Sequence, residues 1–203
     1  NLELSEIIGQ LWVAENSFGV PRDHANKKVT NVVMMGMGEP LLNFEAVTGA
    51  MSMMMDDKAY GLSKRKVTLS TSGLVPLIDK LSEVTDAALT ISLHAPNDQL
   101  RNDLVPINKK YPIKKLLESV IRYVEKCGDS RKTTIEYILI DKVNDSIENA
   151  YELCKLLKIL PCKINLIPFN PFPGSSYKRP SSMRIQTFKK ILQKEGYITT
   201  IRT

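Results

Sequence analysis

The sequence is poor in the residues that usually announce chemistry. Among 203 residues there are three cysteines and two histidines. Cys127 and Cys154 have 26 residues between them, and Cys154 and Cys162 have seven. Neither gap matches the ligand spacing of a zinc, haem or iron–sulfur site, so no metal centre is assigned within the chain. An odd cysteine count also argues against a disulfide framework and for a reducing compartment, so the expected location is the cytoplasm. No run reaches the roughly 18 apolar residues of a membrane-spanning helix. The opening Asn1-Leu2-Glu3-Leu4-Ser5 has no basic-then-apolar leader pattern and reads as the first turn of a helix. Internal repeats, low-complexity tracts and a Ser-His-Asp arrangement are missing too.

What is present is an ordinary globular composition, 43% hydrophobic and 25% charged, with a net charge of +6. The charge is unevenly spread. Residues 1–60 hold four Lys/Arg against eight Asp/Glu, and residues 61–174 hold 17 against 13. Residues 175–203 hold seven against the single Glu195. A basic C-terminal flank suits a polyanionic partner, since Lys and Arg neutralise phosphates; a solvated helix face would look the same.

Two textures alternate along the chain. Short apolar, often β-branched runs predict strands at Thr30–Met37, Lys66–Ser70, Ala87–Leu93, Thr133–Ile140, Lys163–Ile167 and Tyr197–Arg202. Between them, 3.6-residue periodicity predicts helices at Ser5–Asn16, Phe44–Asp56, Val75–Glu83, Ile113–Lys126, Ser146–Leu157 and Met183–Gly196. At the first helix Ser5 lacks a Glu or Gln three residues on, so no capping box is expected there. Asp145-Ser146 ahead of Glu148 marks a helix start, and Gly196 is read as a C-cap. The alternation spells right-handed βαβ units and a parallel α/β sheet. Five or six strands are too few for a closed eight-stranded barrel. The expectation is therefore one domain, residues 1–203, forming a partial TIM-type barrel truncated at both ends. Pro168–Pro180 is read as a long loop at a strand end.

In such sheets ligands gather at the carboxyl ends of the strands. Those ends carry Gly36-Met37-Gly38-Glu39-Pro40, Ser70-Thr71-Ser72-Gly73, Ser92-Leu93-His94, Ile140-Asp141 and Pro168-Phe169-Asn170. Two glycines let a ligand lie against bare backbone, and Glu39 could meet an ammonium group; a tight turn with a surface carboxylate uses the same residues. The dinucleotide fingerprint is not completed, because no third glycine follows. His94 sits on this rim beside Ser92, as either a structural or a site residue, whereas His24 lies in a polar loop. The eight methionines are core filler, and Cys154 and Cys162 are read as buried and inert. The residues alone support a rim ligand site and do not name a reaction.

Five segments together resemble the RlmN/Cfr family of radical S-adenosylmethionine RNA methyltransferases. They are Val33–Asn43 (VMMGMGEPLLN), Leu69–Gly73 (LSTSG), Ile91–Asn97 (ISLHAPN), Val105–Tyr111 (VPINKKY) and Asn165–Pro171 (NLIPFNP). The resemblance runs in order over essentially the whole chain. It implies a radical S-adenosylmethionine barrel in which Gly38 and Glu39 contact the methionine part of the cofactor. Ser70, Ser92, Leu93 and His94 would line the same cofactor, and Asn170 would complete the site. It implies methylation of C2 of an adenosine in 23S rRNA, and in tRNA, by way of a methyl-carrying cysteine. It further implies a [4Fe–4S] cluster held by a Cys-x3-Cys-x2-Cys loop, an external electron donor, and a monomer that does not engage a membrane. Neither that loop nor the methyl-carrying cysteine matches Cys127, Cys154 or Cys162. The first strand, the cluster loop, an N-terminal accessory domain and a C-terminal segment are therefore expected outside this stretch, which alone should be inactive. Lys178 and Arg179, near Asn170, are the candidate RNA contacts. A Cfr-like C8 methyltransferase, another radical S-adenosylmethionine enzyme, or a cluster-less RNA-binding module are the alternatives.

Overall fold

A computed structural model of the chain describes residues 1–19, 28–36, 38–128 and 132–202. The segment holding His24 and the single position Met37 lie outside these residues. Six strands form one sheet in sequence order: β1 Val32–Met34, β2 Val67–Thr71, β3 Ala88–Ser92, β4 Thr133–Leu139, β5 Cys162–Pro168 and β6 Thr199–Ile201. Every neighbouring pair is parallel, with Ser70 beside Thr90 and Ser92 beside Glu136 in the register. The helices are α1 Leu4–Ser17, α2 Phe44–Met55, α3 Val75–Val84, α4 Asp98–Leu104, α5 Ile113–Cys127, α6 Ile147–Leu157 and α7 Ser182–Lys194. Short 3₁₀ turns cover Pro40–Asn43 and Pro106–Lys109.

Successive side chains in a strand point to opposite faces, and here the two faces differ in chemistry. Val67, Leu69, Ile91, Ile135, Tyr137, Leu139, Ile164 and Leu166 are buried in the core that the sheet shares with the helices. Phe188 of α7 packs its ring 5.4 Å from that of Tyr137. The opposite face is largely polar: Thr68, Thr90, Thr134, Glu136, Lys163 and Asn165 line a cavity of about 420 Å³. Across that hollow Arg202, next to β6, reaches Glu136 on β4 at 3.2 Å and the Met35 sulfur beside β1 at 3.9 Å. The sheet is thus curled but open, since β1 and β6 do not pair. Among the described residues no helix is long and apolar enough to cross a membrane.

Local chemistry explains the helix ends and corrects two expectations. Helix α1 starts one residue before Ser5 and does have a capping box: Glu3 is the N-cap, and its N–H donates to the Glu6 carboxylate at 2.7 Å. At α6 Ser146 is the N-cap and pairs reciprocally with Asn149 at 3.1 and 3.3 Å, with Glu148 in the first turn. At the end of α7 the C-cap is Glu195, and Gly196 lies one position beyond, at φ 91°. The N–H groups of Gly196 and Tyr197 donate to the carbonyls of Gln193 and Leu192, the double bond of a Schellman motif.

Candidate functional site

Because the six strands run parallel in sequence order, their carboxyl ends share one rim. Side chains lace that rim together. Glu39, after β1, accepts the N–H of Leu41 at 3.1 Å, and the N–H and hydroxyl of Ser72, after β2, at 2.8 and 2.7 Å. Arg101 of α4 is fully buried and joins the ends of β2 and β3. Its guanidinium donates to the Ser72, Ser92 and Leu93 carbonyls at 2.6, 3.2 and 3.0 Å, and to the Asn108 side chain at 2.8 Å. Burial draws its pKa down to about 10, opposed by the carboxylate of Asp98. Asn144 is also fully buried and joins β3 to β4, donating to the carbonyls of His94 and Ile138 and accepting the N–H of Ile140. The loop after β5 then docks on β4 through Phe169 N–H to Leu139 and Asp141 N–H to Lys178.

The expected site residues sit along this lacing in different ways. Gly38 has φ 120°, a conformation that side chains rarely adopt, and a Cβ added at Gly36 or Gly38 would meet nothing within 4 Å. Both glycines and Glu39 line a cavity of about 1000 Å³, which runs along β1 beside α1 and α2. Ser70 and Ser92 have the strand parity of Thr68 and Thr90, so they belong to the polar inner face. The Leu93 side chain is buried in the helix-facing core, which leaves only its backbone at the rim. His94 takes a left-handed φ of 63°, and its Nδ1 accepts the N–H of Ile138 at 3.2 Å. An accepting Nδ1 puts the single proton of the neutral ring on Nε2. Burial, and then the charge of Arg101, lower its pKa to about 4. Asn170 is exposed, and its Oδ1 accepts from Arg179 at 2.8 Å.

Two groups suggested by the resemblance can be tested against these residues. S-adenosylmethionine presents an ammonium, a carboxylate, hydroxyls and an adenine. The oriented Glu39 carboxylate and the open glycine cradle share one cavity and suit its ammonium end, whereas Ser70, Ser92, His94 and Asn170 are not among the residues lining that cavity. An iron–sulfur cluster does not fit the cysteines here. Cys127 ends α5, Cys154 lies within α6 and Cys162 opens β5. Burial raises the Cys154 thiol to about 11 and that of Cys162 to about 12, against the thiolate a cluster needs. No group of three or more His, Cys, Asp or Glu residues suited to a metal occurs among the described residues.

Sequence reasoning passed over Arg101 and Asn144, and placed Ser72 on the rim without giving it a role. Arg101 lies between the Ile91–Asn97 and Val105–Tyr111 segments, and only its nearness to Leu100, Leu104 and Val105 hints at burial.

Comparison with known proteins places this geometry. A dual-specificity RNA methyltransferase RlmN from Marinobacter nauticus is 62% identical over all 203 residues, and so is one from a Marinomonas species. The chain spans 55% of the length of each of those curated relatives. Among solved structures, a radical SAM methyltransferase from Sphaerobacter thermophilus superposes with a TM-score of 0.90 at 45% identity, covering the whole chain and 58% of that protein. The pattern of the radical SAM superfamily runs from residue 20 to residue 154, through β1 to β4 and their rim, and the chain belongs to that superfamily.

Proposed function

We propose that this chain is the central, cofactor-binding part of a radical S-adenosylmethionine RNA methyltransferase. The intact protein methylates C2 of an adenosine in 23S rRNA and in tRNA. The observation that carries this reading is 62% identity over the full chain to a dual-specificity RNA methyltransferase. When bound, S-adenosylmethionine supplies the methyl group and, on one-electron reduction, the radical that starts the reaction. A radical route suits the target, because an aromatic C2 is too poor a nucleophile for simple methyl transfer. The chain's own residues bind and orient. Glu39, held by Ser72, receives the ammonium end, and Gly38 leaves room beside it. The hydroxyls of Ser70 and Ser92 and the N–H on Nε2 of His94 serve the remaining polar groups, and Asn170 closes the set. The cluster ligands and the methyl-carrying cysteine belong to the part of the relatives that this chain does not span. The intact protein takes its electron from an external donor and works as a monomer.

Lys178 and Arg179 serve the RNA, with a division of labour. Arg179 also holds Asn170, so Arg179→Ala disturbs cofactor binding as well as RNA binding, whereas Lys178→Ala lowers the salt slope of RNA binding by about one unit alone. The test uses the intact protein, reduced anaerobically, with an RNA transcript and mass spectrometry of the methylated base. Glu39→Gln should weaken S-adenosylmethionine binding about tenfold, the loss of one charge-assisted contact. Methylation at C8 would assign the protein to the Cfr-like alternative. RNA binding without cofactor binding would leave only the RNA-binding module.

A further inference from the structure

We propose that the loop between β5 and α7 is a stacking platform for unpaired RNA bases, with Phe172 and Tyr177 as its exposed rings. This rests on the RNA substrate proposed above and names how that substrate is held.

Phe169 is the anchor. It is only 7% exposed, and two rings pack against it. The Phe172 ring lies 5.9 Å away at 50°, and the Tyr177 ring 6.0 Å away, edge-on at 85°. Phe172 and Tyr177 are nevertheless 60% and 39% exposed. The loop that presents them is fixed. Ser175 N–H donates to the Phe172 carbonyl at 3.1 Å, and Tyr177 N–H to the Ser175 hydroxyl at 3.2 Å. Asp141 N–H donates to the Lys178 carbonyl at 3.0 Å, and Pro180 is buried. Rings already held in place lose little freedom when a ligand covers them.

Charge selects the partner. From Pro171 to Met183 the loop carries Lys178 and Arg179 and no Asp or Glu. An apolar protein surface would meet the rings but not the cations. A nucleic acid with unpaired bases meets both, offering π faces to the rings and phosphates to the cations. A duplex hides its base faces, so the platform favours loops, bulges and ends. The position is apt too. Phe172 follows the rim residue Asn170 by two positions, and Arg179 is bonded to that same residue. A base stacked here keeps its neighbours beside the cofactor rim.

The test compares the intact protein's affinity for an RNA hairpin with a single-stranded loop and for a blunt duplex of equal length. Phe172→Ala and Tyr177→Ala should each weaken hairpin binding about five- to tenfold, leaving duplex binding and the salt slope as they were. Phe172→Trp should retain hairpin affinity. A 2-aminopurine in the hairpin loop should be quenched by the wild type and not by either alanine variant. Unchanged hairpin affinity in both variants, or an equal loss on the duplex, overturns the platform while leaving the methyltransferase reading intact. Loss of vesicle cosedimentation in variants that still bind RNA assigns the rings to lipid and also overturns it. A wild-type protein that binds no RNA overturns both.

Discussion

At His94 a neutral imidazole is part of the architecture. Its Nδ1 accepts a backbone N–H, and its pKa of about 4 lies below the ordinary 6.5. Between those values the unfolded chain binds a proton that the folded chain refuses, so stability falls as pH drops below about 6.5 and the fall ends near 4. Glu136 acts in the opposite sense. Burial raises its pKa against the pull of Arg202, so it loses stability as pH rises from its ordinary value through the raised one. The readable quantity is therefore the difference between wild type and His94→Asn, asparagine being tolerated at positive φ. Urea titrations from pH 4 to 7 should show the wild type losing stability relative to the variant as pH falls; parallel curves would refute the neutral histidine. His94 could be placed on the rim from sequence, because a strand end is visible in its Ile91–Leu93 run. Its tautomer could not, because Ile138, whose N–H the Nδ1 accepts, lies 44 residues away. Arg101 was hidden for a further reason. Its partners are mostly backbone carbonyls, which leave no trace in the sequence.

Elements were legible wherever burial imposed a period. β4 and β5 could be found from Ile135, Tyr137, Leu139, Ile164 and Leu166, all of which face the helices. Helix α4 was not found, since its seven residues DQLRNDL offer only the Leu100–Leu104 pair at helical spacing and it is held by Asn97 as N-cap and by its own buried arginine. The loop after β5 was visible from its prolines, but which of its aromatics are covered depends on packing around Phe169. The end of α7 offers a clean measurement at this scale. A Cβ at Gly196 would meet nothing within 4 Å, so Gly196→Ala isolates the strain of a left-handed backbone. It should cost about 1 kcal/mol by thermal or urea unfolding. No loss would mean that the Schellman turn does not hold this helix end.

For the whole molecule, the three cysteines give a test of where the reactive chemistry lies. Buried thiols with pKa values near 11 and 12 should resist alkylation in the native protein. Cys154 and Cys162 should react with iodoacetamide at pH 8 only after unfolding, and anaerobic iron–sulfide reconstitution of these 203 residues should yield no bound iron. Rapid native alkylation would contradict their burial. The rim lacing has a different consequence, for the order of events in folding. Glu39 and Ser72 are 33 residues apart, Arg101 and Ser72 29, and Asn144 and His94 50. Each tie closes a long loop, and such contacts form late because chain entropy is lost before they return anything. The amide of Ser72, which donates to Glu39, should gain protection in pulsed hydrogen exchange after those within α5. A nascent chain would then pass through a stage with its helices formed and no seat yet for a cofactor, so the capacity to bind becomes a late milestone of folding.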